Sequence, residues 1–207
     1  MKKTIATLAA AMFCCGLLAG PAAAATYSLT YDGPLDILEG GNYNYADITD
    51  SHQGKIIDVN VFVNINHTWV GDLDVYLAHS VDDGDTWKYV QLLDEDGGSA
   101  NNLRNILFDD SAPAYINEVS PPWADATFKP TNGFDGDADS SELAYFIGDQ
   151  ALGIWSLVLY DNATGDTGTL ENYRVDVQTA VPLPGAVVLL GSGLVALVGV
   201  RRRSGRK

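Results

Sequence analysis

Asp58-Val-Asn-Val-Phe-Val-Asn-Ile-Asn-His-Thr-Trp-Val-Gly-Asp-Leu-Asp-Val-Tyr-Leu77 holds two runs of period two with a turn between them. In the first, Val59, Val61, Val63 and Ile65 alternate with Asn60, Phe62 and Asn64; in the second, Leu73, Val75 and Leu77 fall on one face. Successive strand side chains point to opposite sides, so each run reads as a half-buried strand. The same pattern marks Tyr27–Tyr31, Trp87–Leu93, Asn105–Phe108, Leu143–Ile147, Ile154–Tyr160 and Thr169–Gln178 as strands bounded by Gly, Asn, Asp and Pro clusters. No segment between Thr26 and Ala180 sustains a 3.6-residue apolar period. Short strands joined by turn-rich loops predict an all-β protein, a β-sandwich or jelly roll. Ile154–Tyr160 is almost wholly apolar, which predicts a central strand covered on both faces with Trp155 in the core.

The chain has 207 residues, 46% of them hydrophobic, the size of one ordinary domain with no room for a protease catalytic domain beside it. All 27 acidic residues lie between Asp32 and Asp176, whereas Thr26–Ala180 carries only Lys55, Lys88, Arg104, Lys129 and Arg174, so the body's charge is 5 − 27 = −22. Such a body repels phosphates, which excludes nucleic acid as a partner and favours divalent cations or basic partners. Four Trp, ten Tyr and many Val, Ile and Leu give it enough apolar surface to fold despite the charge.

The two ends read as addresses. Lys2 and Lys3, the apolar run Ile5–Leu18 and the small residues Ala22–Ala25 form a secretory signal peptide over 1–25, cut by signal peptidase after Ala25. Both cysteines, Cys14 and Cys15, fall inside it, so the mature chain has neither disulfide nor thiol chemistry; a lipid-bearing cysteine lacks the expected preceding residues. At the other end Val181-Pro-Leu-Pro-Gly185 leads into the apolar run Gly185–Val200 and then Arg201, Arg202 and Arg203. As a helix that run spans roughly 24 Å, and snorkelling arginines make up the difference from a hydrocarbon core of about 30 Å, so it reads as a transmembrane helix. The arginines stay cytoplasmic and the acidic body lies outside. The order of motif, apolar helix and arginines over 181–207 resembles the PEP-CTERM sorting signal of Gram-negative bacteria, with Leu183 where the name-giving motif has Glu. The resemblance implies anchoring in the inner membrane, processing by an exosortase, and release to the cell surface or an exopolysaccharide matrix such as a biofilm.

Between these ends, over 26–180, the fragments resemble in order the P-domain (P/Homo B domain) of proprotein convertases. The residues that carry it are Asp58–Leu77, with its His-Thr turn and Gly-Asp-Leu; Val90-Gln-Leu-Leu93; Phe108-Asp-Asp-Ser-Ala112; Phe146-Ile-Gly148; Gly153–Asp161; and Gly165–Val175. The resemblance implies a jelly-roll β-sandwich that stabilises a subtilisin-like serine protease and performs no chemistry itself. A serine endopeptidase label would thus be inherited from the family. The chain departs from the pattern in its long acidic loop His79–Trp87 and in the missing catalytic neighbour.

Catalytic motifs are few. His52, His67 and His79 are the available imidazoles, neither Gly-x-Ser-x-Gly nor a subtilisin-type setting occurs in the body, and His67 reads as a residue bridging two strands. Asp166-Thr-Gly168 spells the aspartic-protease triplet, but such a site needs two carboxylates and the triplet sits in a polar turn. The expectation is therefore a non-catalytic protein.

Carboxylate clusters are the richer signal, because Ca²⁺ takes six to eight oxygen ligands. Candidates are Asp72 with Asp74, Asp82–Asp85, Asp94–Asp96, Asp109–Asp110, Asp135/Asp137/Asp139 and Asp161 with Asp166. The 135–139 run starts like an EF-hand loop but has Ser140 and Phe146 where Gly and Glu are required. The favoured Ca²⁺ ligands are Asp72, Asp109, Asp110, Asp161 and Asp166, at the loop ends of the family-like strands; the alternative is a solvated acidic surface. Trp69, Trp87, Trp123, Tyr43 and Tyr45 fall in or near loops, where they either close the sandwich ends or stack on sugar rings. Together these readings predict an exported structural or adhesive module, with two alternatives: a carbohydrate-binding module for exopolysaccharide, or an accessory of a separate secreted protease.

Overall fold

Nine strands fold into two stacked sheets in a computed structural model that describes residues 23–181. They are β1 (Ala23–Ile37), β2 (Asn42–Asp50), β3 (Lys55–His67), β4 (Leu73–Ser80), β5 (Lys88–Asp94), β6 (Leu103–Phe108), β7 (Trp123–Phe128), β8 (Gly153–Asp161) and β9 (Gly168–Val181). One sheet has the order β1-β9-β3-β6-β7 and the other β2-β8-β4-β5. All pairings are antiparallel except β6 with β7. The protein is an all-β sandwich, as the alternating runs predict. Residues 1–22 of the expected signal peptide (1–25) and 182–207 of the expected sorting signal (181–207) lie outside the described residues.

The core is the meeting of the inward faces. Val59, Val61, Val63 and Ile65 from β3 face Leu73, Val75 and Leu77 from β4, and Trp155, Leu157 and Leu159 of β8 complete the layer, all buried. Trp155 is fully buried, stacked on His79 at 3.9 Å and edge-on to Phe146 at 5.3 Å. The sheets are also pinned by a polar contact: the Tyr173 hydroxyl on β9 donates to the Ala46 carbonyl at 2.7 Å on β2.

Three elements differ from the sequence expectation. Leu143–Phe146 is a turn of 3₁₀ helix rather than a strand, because Leu143 and Phe146 are buried three residues apart and Asp110 accepts from the N–H groups of Leu143 (3.1 Å) and Ala144 (2.7 Å). Strands β2 and β7 form where the alternation is weak: the inward positions of β2 are Asn44, Ala46, Ile48 and Asp50, only two of them with carbon-only side chains. Among the described residues the β1–β9 ladder runs from Ala23↔Val181, so β1 includes Ala23–Ala25 of the expected signal peptide.

Candidate functional site

The outer face of the four-stranded sheet carries two adjoining recesses, among several on the surface of the described residues. Register places its outward residues in cross-strand rows. One row is Tyr43, Tyr160, Asp74 and Asp94; the next is Tyr45, Val158, Tyr76 and Gln91; the third is Asp47, Ser156, Ala78 and Tyr89. The central strands β8 and β4 contribute the small side chains Ser156, Ala78 and Val158, while the edges β2 and β5 carry Tyr43, Tyr45 and Tyr89. Small residues flanked by large ones make a trough along β8 and β4. Its two recesses, of about 210 and 270 Å³, share Tyr45, Tyr89 and Val158. The first is completed by Tyr43, Tyr76 and Asp137, the second by Asp47, Ala78, Trp87 and Ser156.

Each wall is braced. Tyr43 packs on Tyr160 with centroids 4.6 Å apart and bonds through its hydroxyl to Asp137 at 3.3 Å. Trp87 donates its indole N–H to the Gly84 carbonyl at 3.0 Å. The 133–140 segment runs beside β5: Asp139 accepts from the Tyr89 N–H, and Gln91 donates its N–H to the Ser140 carbonyl, both at 2.9 Å. Ser156 Oγ, at the floor of the second recess, is buried without a hydrogen-bond partner. Burial raises the Tyr43 and Tyr89 phenols, and burial followed by the hydrogen bond to Asp135 raises Tyr76. All three stay neutral donors at ordinary pH.

Beside the trough lies the acidic cluster Asp74, Asp94 and Asp135, whose carboxylate oxygens sit within 4.8 Å of one another. Gln91 ties it together, its amide N–H reaching Asp135 at 3.3 Å and Asp74 at 3.4 Å while its Oε1 accepts from the Asp135 N–H at 2.8 Å. The Tyr76 hydroxyl donates to Asp135 at 2.7 Å. Burial first, then the charges of Glu95, Asp135 and Asp94, push the Asp74 carboxyl up to about 7. The three oxygens could share a hard cation, since ligands at 2.3–2.6 Å from an ion lie within about 5 Å of each other.

The five favoured calcium ligands are not gathered into one such cluster. Asp72 is raised by burial, then by the charges of Asp161 and Asp166, so these three share one end of the sandwich. Asp161 is fully buried and accepts from His67 Nε2 at 3.1 Å; Asp166 accepts from the Thr68 hydroxyl at 2.7 Å. Asp109 and Asp110 line another recess, with Asp58, where Asp109 accepts from the Ser111 N–H at 2.7 Å and Asp110 caps the 3₁₀ turn. Asp135, Asp137 and Asp139 diverge rather than wrap one ion: the first enters the cluster, the second the trough, the third the β5 edge.

His67 sits where a bridge between strands requires it. Its side chain is wholly buried, Nδ1 engages the backbone of Trp69 and Nε2 engages Asp161, so both ring nitrogens are used. Gly168 allows this: a Cβ there would overlap the His67 ring. The Asp166-Thr-Gly triplet leads from the bend at 163–165 into β9, with Thr68 and Thr167 exchanging backbone and hydroxyl bonds at 3.0–3.1 Å. Of the singled-out aromatics, Tyr43, Tyr45 and Trp87 line the trough, Trp69 is exposed elsewhere, and Trp123 is buried with its N–H on the Val119 carbonyl at 2.8 Å. Sequence reading missed Tyr76 and Tyr89, although Tyr76 sits on the outward side of its own alternating run.

No protein-family model and no curated protein matches the chain. Among solved structures it is similar to the serine protease of Aeromonas sobria in complex with its chaperone (14% identity, TM-score 0.45), covering 77% of this chain and 28% of that one. It is likewise similar to that serine protease in another crystal structure (15% identity, TM-score 0.44), covering 76% of this chain and 27% of that one.

Proposed function

We propose that the chain is an exported, non-catalytic surface or matrix module whose adhesive contact is a carbohydrate chain bound in the trough. The observation that carries the reading is the trough itself: an open groove on a rigid sheet, walled by Tyr43, Tyr45, Tyr89 and Trp87, with the carboxylates of Asp47 and Asp137 at hand for hydroxyl groups. Aromatic walls suit the apolar faces of sugar rings, and a few polar groups orient them. Export, exosortase processing and the matrix destination rest on the sequence signals at the two ends. A bound Ca²⁺ belongs at Asp74, Asp94 and Asp135 in this reading, beside the trough and holding the 133–140 segment through Asp135.

A second reading, accessory to a separate subtilisin-like protease, is supported by the P-domain resemblance, whose quoted stretches coincide with β3, β4, β5, β8 and β9. It expects co-purification with such a protease.

Affinity electrophoresis in gels carrying neutral and amino-sugar polysaccharides tests the main reading. Retardation of the native protein, weakened roughly tenfold by Trp87→Ala with the melting temperature held, is the expected result. Unchanged migration in every polysaccharide overturns it.

A further inference from the structure

Resting on that carbohydrate reading, we propose that the first recess of the trough is a cation cage that receives the ammonium group of an amino-sugar unit. The recess is bounded by Tyr43, Tyr45, Tyr76, Tyr89, Val158 and Asp137. Four tyrosines around one carboxylate are an arrangement that attracts a cation twice over, through the negative faces of the rings and through the full charge of Asp137. The recess, at about 210 Å³, has room for a small cationic headgroup rather than a whole oligosaccharide.

The surroundings favour the same ligand. Asp47 lines the second recess, Asp139 stands behind Tyr89, and Asp135 lies beyond Tyr76. None of the five basic residues of the body lines either recess. Lys88, next to Tyr89 on β5, is held away by Asp149 at 2.6 Å and lies over the Tyr145 ring at 4.7 Å. Uronic or sulfated chains are therefore repelled, neutral chains meet only the aromatic walls, and chains with free amino groups gain the cage. Val158 and the largely buried Tyr76 give the recess a fixed, well-packed base on the sheet.

Isothermal titration of the native protein with hexamers of glucosamine, N-acetylglucosamine, glucose and galacturonate decides it. The expected result is that the glucosamine hexamer binds at least ~10-fold tighter than the two neutral hexamers, with galacturonate weakest. Asp137→Asn and Tyr45→Leu should each remove most of that preference while leaving the melting temperature in place, since both residues are surface-facing; Tyr45→Leu does so without changing any charge. Equal binding of amino and neutral hexamers overturns the cage and leaves the carbohydrate reading standing. Binding of no hexamer overturns both. A glucosamine preference that survives Tyr45→Leu and is matched by oligolysine of equal charge also overturns the cage, because net charge alone then accounts for it.

Discussion

Replacing Asp74 with Asn should flatten the pH dependence of stability. Asp74 is buried against Asp94 and Asp135 with no basic partner among the residues that perturb it, and its carboxyl is pushed up from 3.8 to about 7. A group that titrates higher folded than unfolded favours the folded state fully at a pH below the unfolded value, and that contribution is lost as pH rises through the folded one. Across the window from about pH 4 to about pH 7 the loss is at most ~4 kcal/mol at 1.36 kcal/mol per pH unit. Asp94 and Asp135 are only partly covered, so water reaches the cluster and a loss of roughly 2 kcal/mol is the working figure. For a domain of this size that is about 4–8 °C in melting temperature. The assay is thermal unfolding by circular dichroism at about pH 5 and about pH 8 in EDTA, native against Asp74→Asn. Burial raises Asp58, Asp72, Asp94 and Asp96 too, so both proteins lose stability on the alkaline side and the difference between their slopes is the measurement. At about pH 8, Ca²⁺ near a hundred times its Kd should restore the native protein by about 2.7 kcal/mol and the variant by less. Equal slopes for the two proteins refute the assignment of the strain to this cluster.

Three further outcomes follow from the packing. Gly168→Ala drives a methyl into the buried His67 ring and should cost about 1–3 kcal/mol, read as a lowered urea midpoint; a neutral result means that the His67–Asp161 bridge can shift. Tyr173→Phe leaves the Ala46 carbonyl without its donor across the sandwich and should cost roughly 1–2 kcal/mol in chemical denaturation, with no loss of sugar binding. Asp110→Ala uncaps the N–H groups of Leu143 and Ala144 and should cost about 1 kcal/mol, with faster amide exchange confined to 143–147.

The sandwich was legible because its central strands alternate strongly. Val59–Ile65 and Leu73–Leu77 announce their inward faces, and the apolar run at 154–160 announces a central strand, though only its inward face meets the other sheet while Ser156 and Val158 look out on the trough. The edge strand β2 was not legible, since an edge that closes the core with Asn44 and Ala46 shows little apolar periodicity. The 143–146 turn reads as a strand for a related reason: five apolar residues in a row, Leu143–Ile147, fit either period, and only the distant Asp110 decides. The trough was half visible. Tyr43, Tyr45 and Trp87 stand out as aromatics in polar surroundings, but their meeting with Tyr76 and Tyr89 depends on cross-strand register, which no single stretch encodes. The acidic cluster joins residues from β4, β5 and the 133–140 segment, and with 27 carboxylates to choose from, sequence spacing cannot say which three converge.

Thr26, the first residue after the expected cleavage, pairs with Gln178 in the β1–β9 ladder, on the sheet opposite the trough. A tether joined to either strand end therefore pulls at one corner, and a ligand held in the trough pulls at the far face. Load between the two must cross the full thickness of the sandwich. It enters through the β1–β9 ladder and crosses at the core, where the Tyr173 hydroxyl of β9 donates to the Trp155 carbonyl of β8 at 3.3 Å. Such a body resists tension by its packed interior, like a rivet whose head and shank lie on opposite sides of the plate.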